Sequence, residues 1–457
     1  MNLLNDTIAA ISTPQAAGGI GIVRISGSEA TVIAERVFQA KNHKLLTQAK
    51  GYTAYYGHIY DRDTMIDEAI ALVFKAPKSY TGEDVVELSC HGGLYIIKRV
   101  LRAVLDSGAR LAEPGEFTRR AFENGKMSLT QAESVMDMIG AQGEQAARAA
   151  ISAHEGSLAR KIDVLKLEIT GYAAHLAAWA DYPEEDLIPV DTKELSRQLA
   201  DCIARVRKMI RDGDAGRVIC EGVDTVIVGK PNVGKSTLMN CLAGCERSIV
   251  TQIAGTTRDI VEEKVILGDV ILRLADTAGI HSTDDPVESI GVDRAVSRMN
   301  SAGLILAVFD NSMPLDEDDI TLLRQLKGRP CVAVINKTDM DHQLDAEIIK
   351  QFIDRIVFIS AKDEHGIDML GAEIAELLGV AQLNPADGIL SGERQIQCAK
   401  ECLDRLTEAK TALDIGMTLD AVNVSLDCAV TALLELTGER ATDVVTDAVL
   451  HRFCVGK

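Results

Sequence analysis

A chain of 457 residues exceeds what one hydrophobic core usually serves and predicts two or three domains. An apolar share of 47% excludes a disordered chain, and the lack of any run of about eighteen apolar residues excludes a membrane-spanning helix. The formal charge of −20 argues against a broad basic face for a long polyanion, so any work on RNA should run through a local patch or a basic partner.

The start, Met1-Asn2-Leu3-Leu4-Asn5-Asp6, lacks the basic region of a signal peptide, which predicts a cytoplasmic protein. Residues 1–118 mix short β-rich runs (Gly19–Ile25, Glu68–Phe74, Val85–Leu88) with glycine turns and a helix-like stretch, Tyr95–Ser107. That texture predicts an α+β domain. Over 119–221 the strand signals vanish. Leu158, Ile162, Leu165, Ile169, Tyr172 and Leu176 step by four and three, and Leu195, Leu199, Ile203 and Val206 continue the stripe beyond a loop at 181–186. Residues 222–379 alternate apolar strands with helices, as in a parallel α/β sheet. Helical stepping returns within 380–457 at Ile396, Ala399, Leu403, Leu406 and Leu413, then at Leu426, Val430 and Leu433. The two helical stretches predict one all-α domain into which the α/β domain is inserted. Ten cysteines lie without a metal or disulfide spacing; Cys241/Cys245 and Cys398/Cys402 are i,i+4 pairs, read as reduced thiols packed as small hydrophobes.

The inserted region carries the chemistry. Strand Asp224–Val228 runs into Gly229-Lys-Pro-Asn-Val-Gly234-Lys235-Ser236, a full GxxxxGKS, and then a helix from Thr237. Backbone N–H groups of such a loop turn inward onto phosphates, and the helix N-terminus adds partial positive charge. Asn232, Val233, Gly234, Lys235, Ser236 and Thr237 are therefore the expected cradle. The Lys235 ammonium serves catalysis at the β/γ-phosphates, and the Ser236 hydroxyl ligates Mg²⁺. Gly255-Thr256-Thr257-Arg258-Asp259 supplies Thr257, which closes on Mg²⁺ only while γ-phosphate is present. In Asp276-Thr277-Ala278-Gly279, Asp276 holds Mg²⁺ through water and the Gly279 N–H senses the γ-phosphate.

Val332–Ile335 ends in Asn336-Lys337-Thr338-Asp339. The Asp339 carboxylate can accept two hydrogen bonds from the N1–H and N2–H₂ edge of guanine, which adenine does not offer together. Asn336 supports the loop and the Lys337 stem covers the base. A lone NKTD turn is a common surface tetrapeptide; at the end of an apolar strand downstream of a P-loop it reads as base recognition. Ser360-Ala361-Lys362 matches the further base-contacting loop. The set predicts a Ras-like P-loop GTPase domain. Ile280 stands where many GTPases place a water-orienting glutamine, so that catalytic group must come from elsewhere.

The chain resembles the MnmE/TrmE family of tRNA modification GTPases throughout its length. The resemblance rests on Asp6-Thr-Ile-Ala, Ser79-Tyr-Thr-Gly-Glu-Asp84, Cys90-His-Gly-Gly93, Pro114-Gly-Glu-Phe117, Gly255-Thr-Thr-Arg-Asp259 and the terminal Cys454-Val455-Gly456-Lys457. It implies a dimerising N-terminal domain that binds 5-formyl-tetrahydrofolate, or a related one-carbon folate, at Arg24, Glu87, Lys126 and Lys457. It also implies a K⁺ site built from Asn232 with Thr251, Ile253 and Thr256. The nucleotide-contacting loop would run through Thr251, Gln252, Ile253, Ala254, Gly255, Thr256 and Thr257, with Glu288 as the catalytic water-orienting residue. The implied assembly is a homodimer in a heterotetramer with the FAD-dependent MnmG/GidA subunit, which would grip most of the tRNA. Together they would place a carboxymethylaminomethyl-type group on C5 of the wobble uridine. Cys454 is a candidate functional thiol. One departure is His281, after the Asp276–Gly279 element, where the family usually carries an arginine. A second reading is a GTP-dependent assembly or regulatory switch with no tRNA-modifying role, for which the N-terminal domain and the Cys454 tail would be superfluous.

Overall fold

The computed structural model describes residues 6–181, 190–244, 263–274, 299, 302–451, 453, 455 and 456. By internal packing the chain divides into two units, residues 1–136 with 430–457, and residues 137–429.

The first unit is a seven-stranded sheet carrying helices on one face. In chain order its elements are β1 (Ile8–Ile11), β2 (Ile20–Ser26), α1 (Ala30–Val37), β3 (Phe38–Ala40), β4 (Thr53–Asp61), β5 (Thr64–Phe74), β6 (Val85–His91), α2 (Leu94–Asp106), β7 (Arg110–Leu111), α3 (Glu116–Glu123) and α4 (Leu129–Gly140). Strand order is β3-β4-β5-β6-β2-β1-β7, antiparallel except for the β1–β7 pair. Alternation sends Val23, Ile25, Val86 and Leu88 into a core shared with Ile33, Ala34 and Val37 of α1 and Ile97, Val100 and Val104 of α2. The neighbours Arg24 and Glu87 therefore stand on the other face, directly opposite each other in the β2–β6 register.

In the second unit three helices come first: α5 (Glu144–His154), α6 (Ser157–Asp181) and α7 (Thr192–Glu221). Asp191 caps α7 by accepting from the Lys193 and Glu194 N–H groups at 3.0 and 3.2 Å. The α/β layer follows: β8 (Val223–Val228), α8 (Lys235–Gly244), β9 (Glu263–Leu267), β10 (Val270–Leu274), β11 (Leu304–Asp310), α9 (Glu317–Leu326), β12 (Cys331–Asn336), α10 (Ala346–Lys350), β13 (Ile356–Phe358) and α11 (Ile367–Leu377). Strand order is β13-β12-β11-β8-β10-β9, with only β9 antiparallel. Both faces are covered. Leu304, Leu306 and Val308 enter one apolar cluster, whereas Ile305, Ala307 and Phe309 enter another, which is why the strand reads as an unbroken apolar run. Helix α12 (Glu393–Asp414), lying along α7, and the part of α13 (Leu419–Thr437) up to residue 429 close the unit. Ala215 and Ile219 of α7 share the core of the sheet with Val223, and Gly222 turns between them at φ 82° with no room for a Cβ against the Ile271 carbonyl, 2.8 Å away.

The α/β domain thus lies between helical stretches and after an α+β region, as the sequence pattern predicts. Strands β1, β3, β4 and β7 extend the first sheet beyond the three runs legible in sequence. The last helix, α14 (Asp443–Leu450), packs Leu450 with Val135 and Phe453 in the first unit. Among the described residues no helix is long and apolar enough to cross a membrane, and no His/Cys/Asp/Glu group could hold a metal ion. The described cysteines are thiols rather than disulfides, but Cys428 on α13 is exposed rather than packed as the sequence reading expects. Burial pushes the Cys331 and Cys402 thiols up to about 12, as expected of packed, unreactive side chains.

Candidate functional site: a phosphate loop tied to a base loop, and a separate arginine floor

The segment between β8 and α8 is shaped by backbone conformations that ordinary side chains resist. Gly229 and Gly234 sit at φ 145° and 96°, and Asn232 at φ 67°. A Cβ on Gly229 would meet the Val308 carbonyl at 2.4 Å. A Cβ on Gly234 would meet Asn336 Nδ2 at 2.3 Å. Lys235 opens α8 and donates to the Gly229 and Lys230 carbonyls at 2.7 and 2.6 Å, so its ammonium closes the ring of the loop. Burial holds that ammonium below the ordinary lysine range. Asn232, Ser236 and Thr237 are exposed. Hydroxyl and amide oxygens of this kind suit Mg²⁺ and K⁺ as hard oxygen donors.

Asn336, at the end of β12 and only 2% exposed, joins this loop to the loop that follows β13. Its Nδ2 donates to the Val233 carbonyl at 3.0 Å, and its Oδ1 accepts from the Ala361 N–H at 3.0 Å. Thr338 N–H donates to the Ile359 carbonyl at 3.1 Å, so the loops after β12 and β13 also share a backbone bond. Lys337, at φ 67°, is held by Asp310 at 2.6 Å. Burial opposes the Asp310 charge, but Lys337 and Ser312 outweigh it and keep that carboxyl below the usual range. Asp339 is exposed; its Oδ1 accepts from the Ser360 hydroxyl at 2.9 Å, which orients a carboxylate with capacity for further donors. Lys362 is exposed beside Ala361. The structure therefore brings together Asn232 to Thr237, Asn336, Lys337, Asp339 and Ser360 to Lys362. Thr251, Gln252, Ile253, Ala254, Gly255, Thr256, Thr257, Asp276, Thr277, Ala278, Gly279, Ile280, His281 and Glu288 lie outside the described residues.

In the first unit Arg24 Nε donates to Glu87 Oε1 at 2.9 Å, and its guanidinium lies 5.3 Å from the Tyr80 ring centroid and 5.6 Å from that of Phe117. The chain's last segment arrives at the same place. Val455 bridges to Pro114, and the Gly456 carbonyl accepts from Ser12 Oγ at 3.1 Å and from Arg24 at 3.4 Å. Lys126 donates to the Pro77 carbonyl at 3.0 Å. Cys454 and Lys457 lie outside the described residues.

Sequence reasoning missed what supports this floor. Arg120, 3% exposed, donates to Asp6 Oδ1 at 2.8 Å, to both Glu83 oxygens at 3.2 Å and to Glu116 at 3.1 Å. Arg110 adds a bond to Asp6 at 2.6 Å. The hydrogen bond from Arg110 leads the lowering of the Asp6 carboxyl below its ordinary range. Glu116 is also lowered: burial opposes its charge, but Arg110 and Arg120 outweigh it. The fragments around Asp6, Glu83 and Glu116 carried only family resemblance in sequence; here they are three corners of one ion-pair network.

Sequence comparison adds an independent finding. Profiles described as GTP-binding protein TrmE N-terminus and MnmE helical domain match residues 7–126 and 129–454. A tRNA modification GTPase MnmE of Clostridioides difficile is 39% identical, covering 99% of this chain and 100% of its own length. The protein of the same name from Geobacillus thermodenitrificans is 42% identical, covering 99% of each chain. Among solved structures, Era of Aquifex aeolicus bound to GDP and aluminium fluoride is 30% identical over 41% of this chain and 66% of its own, with a TM-score of 0.26, too low to add to the argument.

Proposed function

Because this chain belongs to the MnmE family of tRNA modification GTPases, we propose that it hydrolyses GTP to modify the wobble uridine of tRNA. The observation that carries the reading is the Asn336 clamp, which gives a phosphate loop and a guanine-reading loop one shared side chain. In this reading Lys235 and the N–H groups at Val233–Thr237 hold the phosphates, Ser236 with Thr257 holds Mg²⁺, and Asp276 acts on that ion through water. Thr277, Ala278 and Gly279 follow the γ-phosphate. Asp339, with Asn336, Lys337, Ser360, Ala361 and Lys362, selects guanine.

Ile280 offers no hydrogen bond to water, so turnover rests on Glu288 and on K⁺ held by Asn232, Thr251, Ile253 and Thr256, placed where an arginine finger would otherwise act. The proposed organisation is an N-terminal domain at 1–118, a helical domain at 119–221 and 380–457, and a G domain at 222–379. Arg24, Glu87, Lys126 and Lys457 take a one-carbon folate in the N-terminal domain, with carboxylate for the pterin edge and cations for the glutamyl tail. The chain works as a cytoplasmic homodimer with the FAD-dependent MnmG/GidA partner, adding a carboxymethylaminomethyl-type group to C5. Cys454 accompanies Lys457 in the tail.

The test is GTP turnover in K⁺ and in Na⁺. Wild type should be strongly K⁺-activated, Asn232→Ala should lose most of that activation, and Glu288→Ala should bind GTP without turning it over. Normal turnover by Glu288→Ala in K⁺ overturns this mechanism. Wobble uridines still carrying the C5 group in a deletion strain would favour the switch reading instead.

A further inference from the structure

We propose that Tyr80 is a positioning residue of the Arg24 site, and that the loop from Ala76 to Asp84 exists to hold it there. The proposal rests on the folate reading of Arg24 and Glu87 given above.

Arg24 projects from a strand as a long side chain whose guanidinium edge is taken by Glu87 at 2.9 Å through Nε and Nη2 and by the Gly456 carbonyl at 3.4 Å through Nη1, which leaves its faces to be packed. Two aromatic rings pack there, Tyr80 at 5.3 Å and Phe117 at 5.6 Å from the guanidinium carbon. Phe117 is fully buried in a small core with Ile8, Ala10 and Ala112, and Tyr80 packs against that core from a loop. A loop aromatic can fix a guanidinium only if the loop itself is fixed. Here the loop is tied along its length. Lys75 pairs with Asp84 at 2.7 Å, and the Ala76 N–H reaches the same carboxylate at 2.9 Å. Ser26 Oγ lies 2.7 Å from both Thr81 Oγ1 and Glu83 Oε2. Asn124 Nδ2 donates to the Thr81 carbonyl at 2.8 Å, and Arg120 holds Glu83. Tyr80 has its own anchor, its hydroxyl lying 2.8 Å from Thr118 Oγ1. The same loop touches a second candidate ligand residue, since Pro77 accepts from Lys126. Side chains from β2, α3 and the turn after α3 thus converge on a segment that carries one aromatic onto Arg24. Arg24 is presented to the ligand already oriented, so that the ligand need not immobilise it.

The test is calorimetric titration of the full chain with 5-formyl-tetrahydrofolate, beside thermal unfolding and GTP turnover. Wild type against Glu87→Ala first establishes whether the site takes folate; no binding by wild type overturns the folate reading and the proposal with it. Given binding, Tyr80→Leu should weaken folate roughly five- to tenfold. Tyr80→Phe, which keeps the ring and loses the hydroxyl, should stay within about twofold of wild type. GTP turnover should be unchanged in both. Thr118→Val separates the ring from its anchor, and should follow Tyr80→Phe. Folate affinity in Tyr80→Leu equal to wild type refutes the positioning role while leaving the folate site standing. Equal losses in Tyr80→Leu and Tyr80→Phe, tracking their melting temperatures, also refute it and assign Tyr80 to loop stability alone.

Discussion

The phosphate loop of the second unit takes its shape from backbone, while the arginine floor of the first unit takes its shape from side chains. In the loop, Gly229, Gly234 and Asn232 hold positive φ values, and a short local sequence suffices to place the N–H groups. In the floor, Asp6, Arg24, Glu83, Glu87, Arg120 and Gly456 come from widely separated parts of the chain and meet only after the sheet has closed. A backbone-built site depends on steric permission at a few positions, and a side-chain-built site depends on charge balance across many. The two should fail differently.

Arg120→Met gives the largest effect and the clearest test of the difference. It leaves Asp6, Glu83 and Glu116 without their buried cation, and should cost the first unit about 3–5 kcal/mol. Differential scanning calorimetry should show one transition moving down while GTP affinity holds. A variant that melts like wild type would show that Arg110 alone balances the cluster, and that the network is looser than its distances indicate.

Gly234→Ala is the counterpart in the loop. A side chain there is strained at φ 96° and drives into Asn336 Nδ2, 2.3 Å away, so the clamp must open. GTP affinity should fall by about 2–3 kcal/mol, close to a hundredfold. The first unit's transition should not move; if it does, the two sites are not independent.

The smallest effect separates the units by pH. Asp6 and Glu116 have folded-state carboxyls below their ordinary values, 3.8 and 4.5, chiefly through the Arg110 and Arg120 contacts described above. A depressed carboxyl stabilises the fold above its unfolded value, and that stabilisation is lost as pH falls through the folded value. The first unit should therefore lose stability as pH drops below about 4. Asp6→Asn should cost under about 1 kcal/mol at neutral pH, because Asp6 is 36% exposed and solvent screens its ion pairs, and should flatten that acid slope. An unchanged slope would mean that other carboxyls carry the transition.

What could be seen in the sequence follows the same division. The parallel strands read plainly because both faces of β11 and β12 are buried, giving continuous apolar runs. The Gly229–Ser236 loop reads plainly because its constraint is local. Strand β4 did not, since Gly57 interrupts its alternation; that glycine is demanded by the neighbouring strand, where a Cβ would meet the Gln39 carbonyl at 2.1 Å. The ion network did not either: Asp6 and Arg120 meet at 2.8 Å across more than a hundred residues, and neither residue type signals its partner. The fragment holding Asp6 was recognisable only by resemblance, Arg120 lay in no motif at all, and their physical purpose emerges from the closed sheet.

Asn336 has a consequence for how such a protein can diversify. One amide reaches the Val233 carbonyl on one side and the Ala361 N–H on the other, so on the proposed reading phosphate grip and base selection cannot be altered separately at that position. A change there that suited another base would loosen the grip on every nucleotide at once. Among the described residues Asp339 is exposed and bonded to Ser360, with no tie to the phosphate loop. On the proposed reading of Asp339 as the base selector, nucleotide preference should be open to re-engineering there in a single step while triphosphate capture holds.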